Sequence, residues 1–327
     1  HPEVLSVSEF FAVLQGILRR YDYPAGNMDG NELWRLAATP DPLADAMVRS
    51  GQRVPEMFYP YETGRFKADT GIPIICHSTL PLLSEDPDAL YDRLAAQVPG
   101  WPTRKAADQY RALFGLLADI TGRPVAVERS GGSLILVRLL SREFPEARFV
   151  FMHRDGLDTA LSMSQFPMFK LGVLAVRAAA KAGLPADATM AEIQAHLPEE
   201  FRGVLSPPYD LSSLPGIQIS PVQFGELWSN MIRGGTAALG ELPAENRSNL
   251  GYEDLLADPG GELGALAEFL GIEASGDWID AAAKLVDPGR AGAARHIDAD
   301  LLTQLLHACE PGREALEAFL AVPGRST

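Results

Sequence analysis

The sequence predicts an α/β protein, a parallel sheet flanked by helices, with a helical insertion and a mostly helical carboxy-terminal part. Three observations lead there. Between Pro124 and Ser164, short β-branched stretches alternate with helical periods, the pattern of parallel strands joined by crossover helices. The apolar run Phe149-Val150-Phe151-Met152-His153 stops at Arg154 and restarts as a helix, and carboxyl strand ends are where open α/β sheets bind ligands. Of the 327 residues 46% are apolar, enough for a substantial core in one large domain.

Taken in order, Phe10, Phe11, Leu14, Ile17 and Leu18 recur at helical spacing and predict an amphipathic helix from about Val7 to Arg20. A polar stretch punctuated by Pro and Gly follows to about Tyr61. Ile72 to His77 reads as a short strand or extended segment ending near Pro81. Thr103 to Ile120 is helical again, and Thr121-Gly122-Arg123-Pro124 stops it. Next come a strand at Val125 to Val127, a loop from Glu128 to Ser133, a helix from Leu134 to Phe144 and a strand from Arg148 to Met152. Residues 165–220 are rich in Pro and Ala without a strand pattern. They read as an insertion within a single domain spanning 1–327, placed where lids and acceptor pockets sit. A helix from about Val222 to Leu239, a last strand at Asn246 to Leu250 and helices over 260–321 complete the chain.

The net charge of −15 excludes a protein that tracks nucleic acid, which needs a broad basic surface, but leaves room for a local cluster around one anionic ligand. Cys76 and Cys309 fit no metal-ligand spacing and no disulfide framework, so no metal is expected and a reduced, cytoplasmic setting is the default. No apolar run approaches a transmembrane length, and the amino terminus has no signal pattern.

Arg154, Asp155, Asp158 and Ser162 form the first candidate site. A forked guanidinium leaves a strand end, a turn follows, and a hydroxyl eight residues on returns on the next helix, so an anion would meet a charge and a hydroxyl together. Read alone, the same residues are an ordinary strand-to-helix turn. The spacing resembles the 3′-phosphate-binding element of sulfotransferases, the enzymes that use 3′-phosphoadenosine 5′-phosphosulfate. Two further segments carry that resemblance. Tyr252-Glu253-Asp254-Leu255, Asp258-Pro259 and Phe269-Leu270-Gly271 match the family's Y-E-D-L, D-P and F-L-G pieces. His1-Pro2-Glu3-Val4 followed by Glu9 is similar to a segment of the tyrosylprotein sulfotransferases and their bacterial relatives, whose motif spacing is the nearest.

The resemblance implies a P-loop-like sheet and transfer of a sulfuryl group to a hydroxyl or amine, on a small-molecule, lipid or carrier-bound acceptor, without a metal. It implies 3′-phosphate contacts from Arg154 and Ser162, an adenine-side position for Tyr252 and the general base at Glu9. Arg129 falls where tyrosylprotein sulfotransferases place a lysine that steadies sulfuryl charge; its alternative is a surface ion pair with Glu128. Arg290, with Gly292, matches part of the family's carboxy-terminal R-x-G-x-x-G loop, although Arg295 stands at the second glycine. The 5′-phosphosulfate loop is expected upstream of His1, where a G-x-[GP]-R-x-G-[ST]-[ST] sequence would identify it.

Other readings stay open. Arg129-Ser130-Gly131-Gly132-Ser133 between strand and helix has the make-up of a phosphate cradle, which would suit a P-loop kinase-like phosphotransferase, but it lacks the lysine such loops carry. A non-catalytic homologue acting as a binding module is the third reading. His77 has the alternative of acting as the base in place of Glu9, but reads better as a pocket-lining or core histidine, and His153 reads as structural. Phe58, Tyr59, Tyr61, Phe166 and Phe169 suggest an apolar acceptor contact, or simply core.

Overall fold

The computed structural model describes residues 1–11, 26–52, 54, 56–185 and 188–321. Six strands form among them: β1 (Val4–Ser8), β2 (Asn27–Met28), β3 (Arg104–Lys105), β4 (Val125–Arg129), β5 (Phe149–His153) and β6 (Arg247–Gly251). The chain is a mixed α/β protein in which β1 pairs with β4 and β5 with β6, both in parallel, while β2 and β3 pair antiparallel. The expected parallel pairing is therefore present, carried by two separate strand pairs rather than by one continuous ladder among the described residues.

Contacts divide the chain into two units. One holds residues 2–133 and 170–218, the other His1, 134–169 and 219–327. The first contains β1 and β4. Leu5 and Val7 are fully buried while Val4 and Ser6 are half-buried, so the segment has the period of two that belongs to a strand. This corrects the expected helix start at Val7: the helix begins at Phe10, after the strand has ended. Phe10 and Phe11 then lock it against Tyr110 and Phe114 of the helix Ala106–Thr121, with ring centroids 5.0–6.0 Å apart. Leu14, Ile17 and Leu18 lie outside the described residues. Gly122, at φ 68°, ends the 106–121 helix as the sequence predicts.

Ile72 to His77 is a second correction. Residues 74–77 form a helical turn, not a strand. Pro73 opens it, the Ile72 N–H donates to the buried Asp45 carboxylate, and Ile75, Cys76 and His77 are all buried. A short, wholly buried apolar run has no periodicity to separate strand from helix. Residues 165–220 carry helices at Pro167–Lys181, Met190–Ala195 and Arg202–Leu205, and no strand among the described residues.

In the other unit, the helices Pro221–Gly240 and Ala299–Leu320 pack closely. Gly312 lies so near Trp228 that a Cβ there would come within 2.6 Å of the ring, and Ser229 donates its hydroxyl to the Ala308 carbonyl at 2.7 Å. Both pack against the helix Gly156–Ser164, and Phe319 of the second meets Phe151 of β5 and Arg247 of β6. No helix among the described residues is long and apolar enough to cross a membrane.

Candidate functional site

Parallel pairing brings the carboxyl ends of β5 and β6 to one edge, and there the structure gathers residues that lie far apart in sequence. Arg154 follows β5 and Tyr252 follows β6. The Arg154 guanidinium carbon stands 4.8 Å from the centre of the Tyr252 ring, a cation–π contact. Arg154 also donates to the main-chain carbonyl of Arg290 and lies 3.6 Å from the Asp158 carboxylate. Its Nε is buried without a hydrogen-bond partner among the described residues.

Asp158 organises this edge. Only 4% exposed, it accepts the N–H groups of Gly292 and Ala294, and so ties the helix 156–164 to the 290–295 loop. Gly292 sits at φ 87°, a conformation that glycine adopts freely and other residues rarely do. The turn before the helix is fixed twice: Asp155 caps it by accepting the Asp158 N–H at 2.9 Å, and the Asp155 N–H donates to Glu253 at 3.1 Å. Gly156 is a close approach, since a Cβ there would fall 2.6 Å from the Trp228 ring. Ser162 stands one helical turn beyond Asp158, on the same side of the helix, and its half-buried hydroxyl has no internal partner among the described residues.

Arg290 opens the same 290–295 loop. Its guanidinium is exposed and pairs with Asp287 at 3.5 Å; it is the Arg290 carbonyl that meets Arg154. Arg295 is likewise exposed. A cavity of about 320 Å³ opens at the amino-terminal end of β5 and β6, lined by Ala147, Phe149, Leu242 and Asn246 among others, and it holds none of the candidate residues.

The first unit has its own strand-end site. Glu9 immediately follows β1, and its φ of 53° turns the chain from strand into helix within one residue. Such a backbone is uncommon for a residue with a side chain and marks a position worth functional attention. The Glu9 N–H extends the ladder to the Arg129 carbonyl at 2.8 Å. Its carboxylate accepts the Ser130 hydroxyl at 3.0 Å and the Gly131 N–H at 3.2 Å. The Arg129-to-Ser133 loop is thus a cradle for an anion, and the anion it holds is the carboxylate of Glu9.

Glu128, on β4, binds the other end of the same loop. It accepts the Ser133 hydroxyl and the Phe11 N–H, both at 3.3 Å, and caps the helix that starts at Phe10. Burial pushes its carboxyl up to about 7; the Glu9 charge adds to the rise, while the Phe11 N–H and the Ser133 hydroxyl oppose it. Burial also raises Glu56, again with Glu9 contributing. Arg129 is exposed, and among the described residues its guanidinium has no acidic partner, so the surface pair with Glu128 does not form. Ser130 entered the sequence reading only as part of a candidate phosphate cradle, and Glu128 only as an ion-pair partner of Arg129. The glycine-rich loop was the available signal, but nothing in it names its occupant.

His77 is a core histidine, 4% exposed, with its ring nitrogen 3.2 Å from the Ile72 carbonyl and its basicity lowered by burial. His153 is lowered by burial as well. Tyr59 belongs to the core, 2% exposed, and donates its hydroxyl to Asp88 at 2.6 Å. Among the described residues, no group of three or more His, Cys, Asp and Glu side chains is placed to hold a metal ion.

No protein-family model matches the chain, and no characterised protein matches its sequence. Among solved structures, the chain is similar to a sulfotransferase domain from the curacin biosynthetic pathway, at 14% identity and a TM-score of 0.40, over 86% of this chain and 93% of that one. The likeness is distant and assigns no residue a role.

Proposed function

We propose that this protein is a sulfotransferase that moves a sulfuryl group from 3′-phosphoadenosine 5′-phosphosulfate to a hydroxyl or amine. The observation that carries the reading is the meeting of Arg154, Tyr252 and the Asp158-latched 290–295 loop at one strand edge. These are segments that the sequence resemblance picked out independently of one another. The residues suit a phosphate. Arg154 brings a permanent charge and a buried Nε that lacks an acceptor among the described residues, and the Ser162 hydroxyl, without a partner among those residues, adds a second donor.

In this reading Arg154 and Ser162 hold the 3′-phosphate, and Tyr252 lies towards the adenine. The donor supplies the activated sulfur. Glu9 takes the acceptor's proton as the acceptor oxygen or nitrogen bonds to sulfur and the sulfur–oxygen bond to the 5′-phosphate breaks, leaving adenosine 3′,5′-bisphosphate. Arg129, exposed and without an acidic partner among the described residues, offsets negative charge on the sulfuryl oxygens. The 290–295 loop contributes through its backbone, Arg290 included.

Calorimetric titration of the full-length protein with adenosine 3′,5′-bisphosphate tests the proposal. Saturable binding is expected, weakened about 30-fold or more in Arg154→Ala. Absence of binding, or tighter binding of ATP with Mg²⁺, overturns it.

A further inference from the structure

We propose that Ser130 is the positioning residue of Glu9, holding its carboxylate in one orientation at the end of β1; the inference rests on the sulfuryl-transfer reading for its catalytic meaning. The hydroxyl of Ser130 has a single proton, and it goes to Glu9 Oε2 at 3.0 Å. The same oxygen accepts the Gly132 N–H at 3.2 Å, which fixes the direction in which that proton points. Gly131 binds the second Glu9 oxygen through its N–H at 3.2 Å, so the carboxylate is gripped at both oxygens.

The loop itself is held in place. The Ser133 N–H donates to the Ser130 carbonyl at 3.3 Å, and the Ser133 hydroxyl donates to Glu128 at 3.3 Å. Glu9 enters from a backbone at φ 53°, where a glycine would be less strained. Arg129 and Glu9 are neighbours across the ladder, with the Glu9 N–H on the Arg129 carbonyl at 2.8 Å, yet their side chains form no ion pair. Ser130 and Gly131 already occupy the carboxylate. The base therefore stays separate from the cation beside it, and both remain available for opposite tasks.

The test uses the full-length protein, 3′-phosphoadenosine 5′-phosphosulfate as donor and 4-nitrophenol as acceptor. Ser130→Ala is expected to lower kcat about 10-fold or more with the donor KM within about 2-fold, and Ser130→Thr, which keeps the hydroxyl, to restore most of the rate. In Glu9→Gln the further change Ser130→Ala is expected to add nothing, because the two residues act as one unit. Equal rates for wild type and Ser130→Ala overturn the proposal, as does a full additive loss in the double variant. A second arm needs no turnover: a double-mutant cycle in urea unfolding with Glu9→Gln and Ser130→Ala is expected to give about 5-fold coupling in the unfolding equilibrium. Coupling below about 2-fold overturns the Glu9–Ser130 link. A protein that fails to bind adenosine 3′,5′-bisphosphate but shows the coupling sinks only the sulfotransferase reading.

Discussion

The pairs β1–β4 and β5–β6 are built alike: two five-residue parallel strands, each pair followed by a carboxylate that accepts hydrogen bonds from a glycine-containing loop, a hydroxyl and one N–H for Glu9 and two N–H groups for Asp158. Glu9 sits on Ser130 and Gly131, and Asp158 sits on Gly292 and Ala294. They differ in what surrounds the carboxylate. Around Glu9 stand Glu128 and Glu56, both pushed upward chiefly by burial, with the Glu9 charge adding to the rise. Asp158 instead lies 3.6 Å from Arg154, so at the second site the carboxylate serves to place a cation. The same strand-end architecture thus seats a carboxylate on a loop in one unit and sets a carboxylate beside a cation in the other. Under the proposed function, the first would serve as the base and the second as the anion holder.

The widest separation between the two comes from exchanging their effects. Glu9→Gln is expected to lower sulfuryl-transfer turnover by about 10²- to 10⁴-fold while leaving adenosine 3′,5′-bisphosphate affinity within about 2-fold. Arg154→Gln is expected to do the reverse in kind, weakening that affinity about 30-fold or more. Calorimetry and steady-state rates on the two variants decide it. If both weaken binding equally, the division of labour between the two sites is wrong.

A second contrast lies in pH. The Glu128 carboxyl stands at about 7 in the folded protein against an ordinary 4.5, so its stabilising contribution is complete below 4.5 and is lost as pH rises through 7. The loss is on the order of 3 kcal/mol. Asp45, raised by burial to about 6 from 3.8, acts in the same sense over a lower window. Urea unfolding at pH 5 and pH 8 should therefore show wild type losing stability and Glu128→Gln losing distinctly less. Parallel pH dependence in the two proteins would remove Glu128 as the cause.

Much of this was legible in the sequence, and the parts that were not share a physical reason. The turn after β5 and the strand before Tyr252 follow from motif spacing, a local signal. The stretch from Val4 to Ser8 misled because its period of two spans only five residues and runs directly into the helical period beginning at Phe10. Neither the φ of Glu9 nor its capture by Ser130 appears in any local pattern, since the partners are 121 residues apart. Arg290 shows the same limit: its contact with Arg154 comes from its carbonyl, which no side-chain motif encodes.

Asp158→Asn probes the latch. One oxygen remains to accept from Gly292 or Ala294, while the other becomes a donor facing their N–H groups, and Arg154 loses its carboxylate. A cost of about 2 kcal/mol in unfolding is expected, together with faster amide exchange confined to the 290–295 loop. Unchanged exchange there would mean that the loop is held by something other than Asp158.

The smallest expected effect belongs to Tyr252, and it separates two roles for the ring. Its contact with Arg154 is a face-on approach at 4.8 Å, worth about 0.5–1 kcal/mol where partly exposed. As a platform that keeps the guanidinium at the strand edge, Tyr252→Phe should preserve adenosine 3′,5′-bisphosphate affinity and Tyr252→Leu should weaken it about 3- to 5-fold. The same Leu change made in Arg154→Gln should then cost almost nothing, because the charge it acts through is gone. An equal loss from Tyr252→Leu in both backgrounds would instead place the ring directly against the nucleotide, making Tyr252 a contact in its own right rather than a support for Arg154.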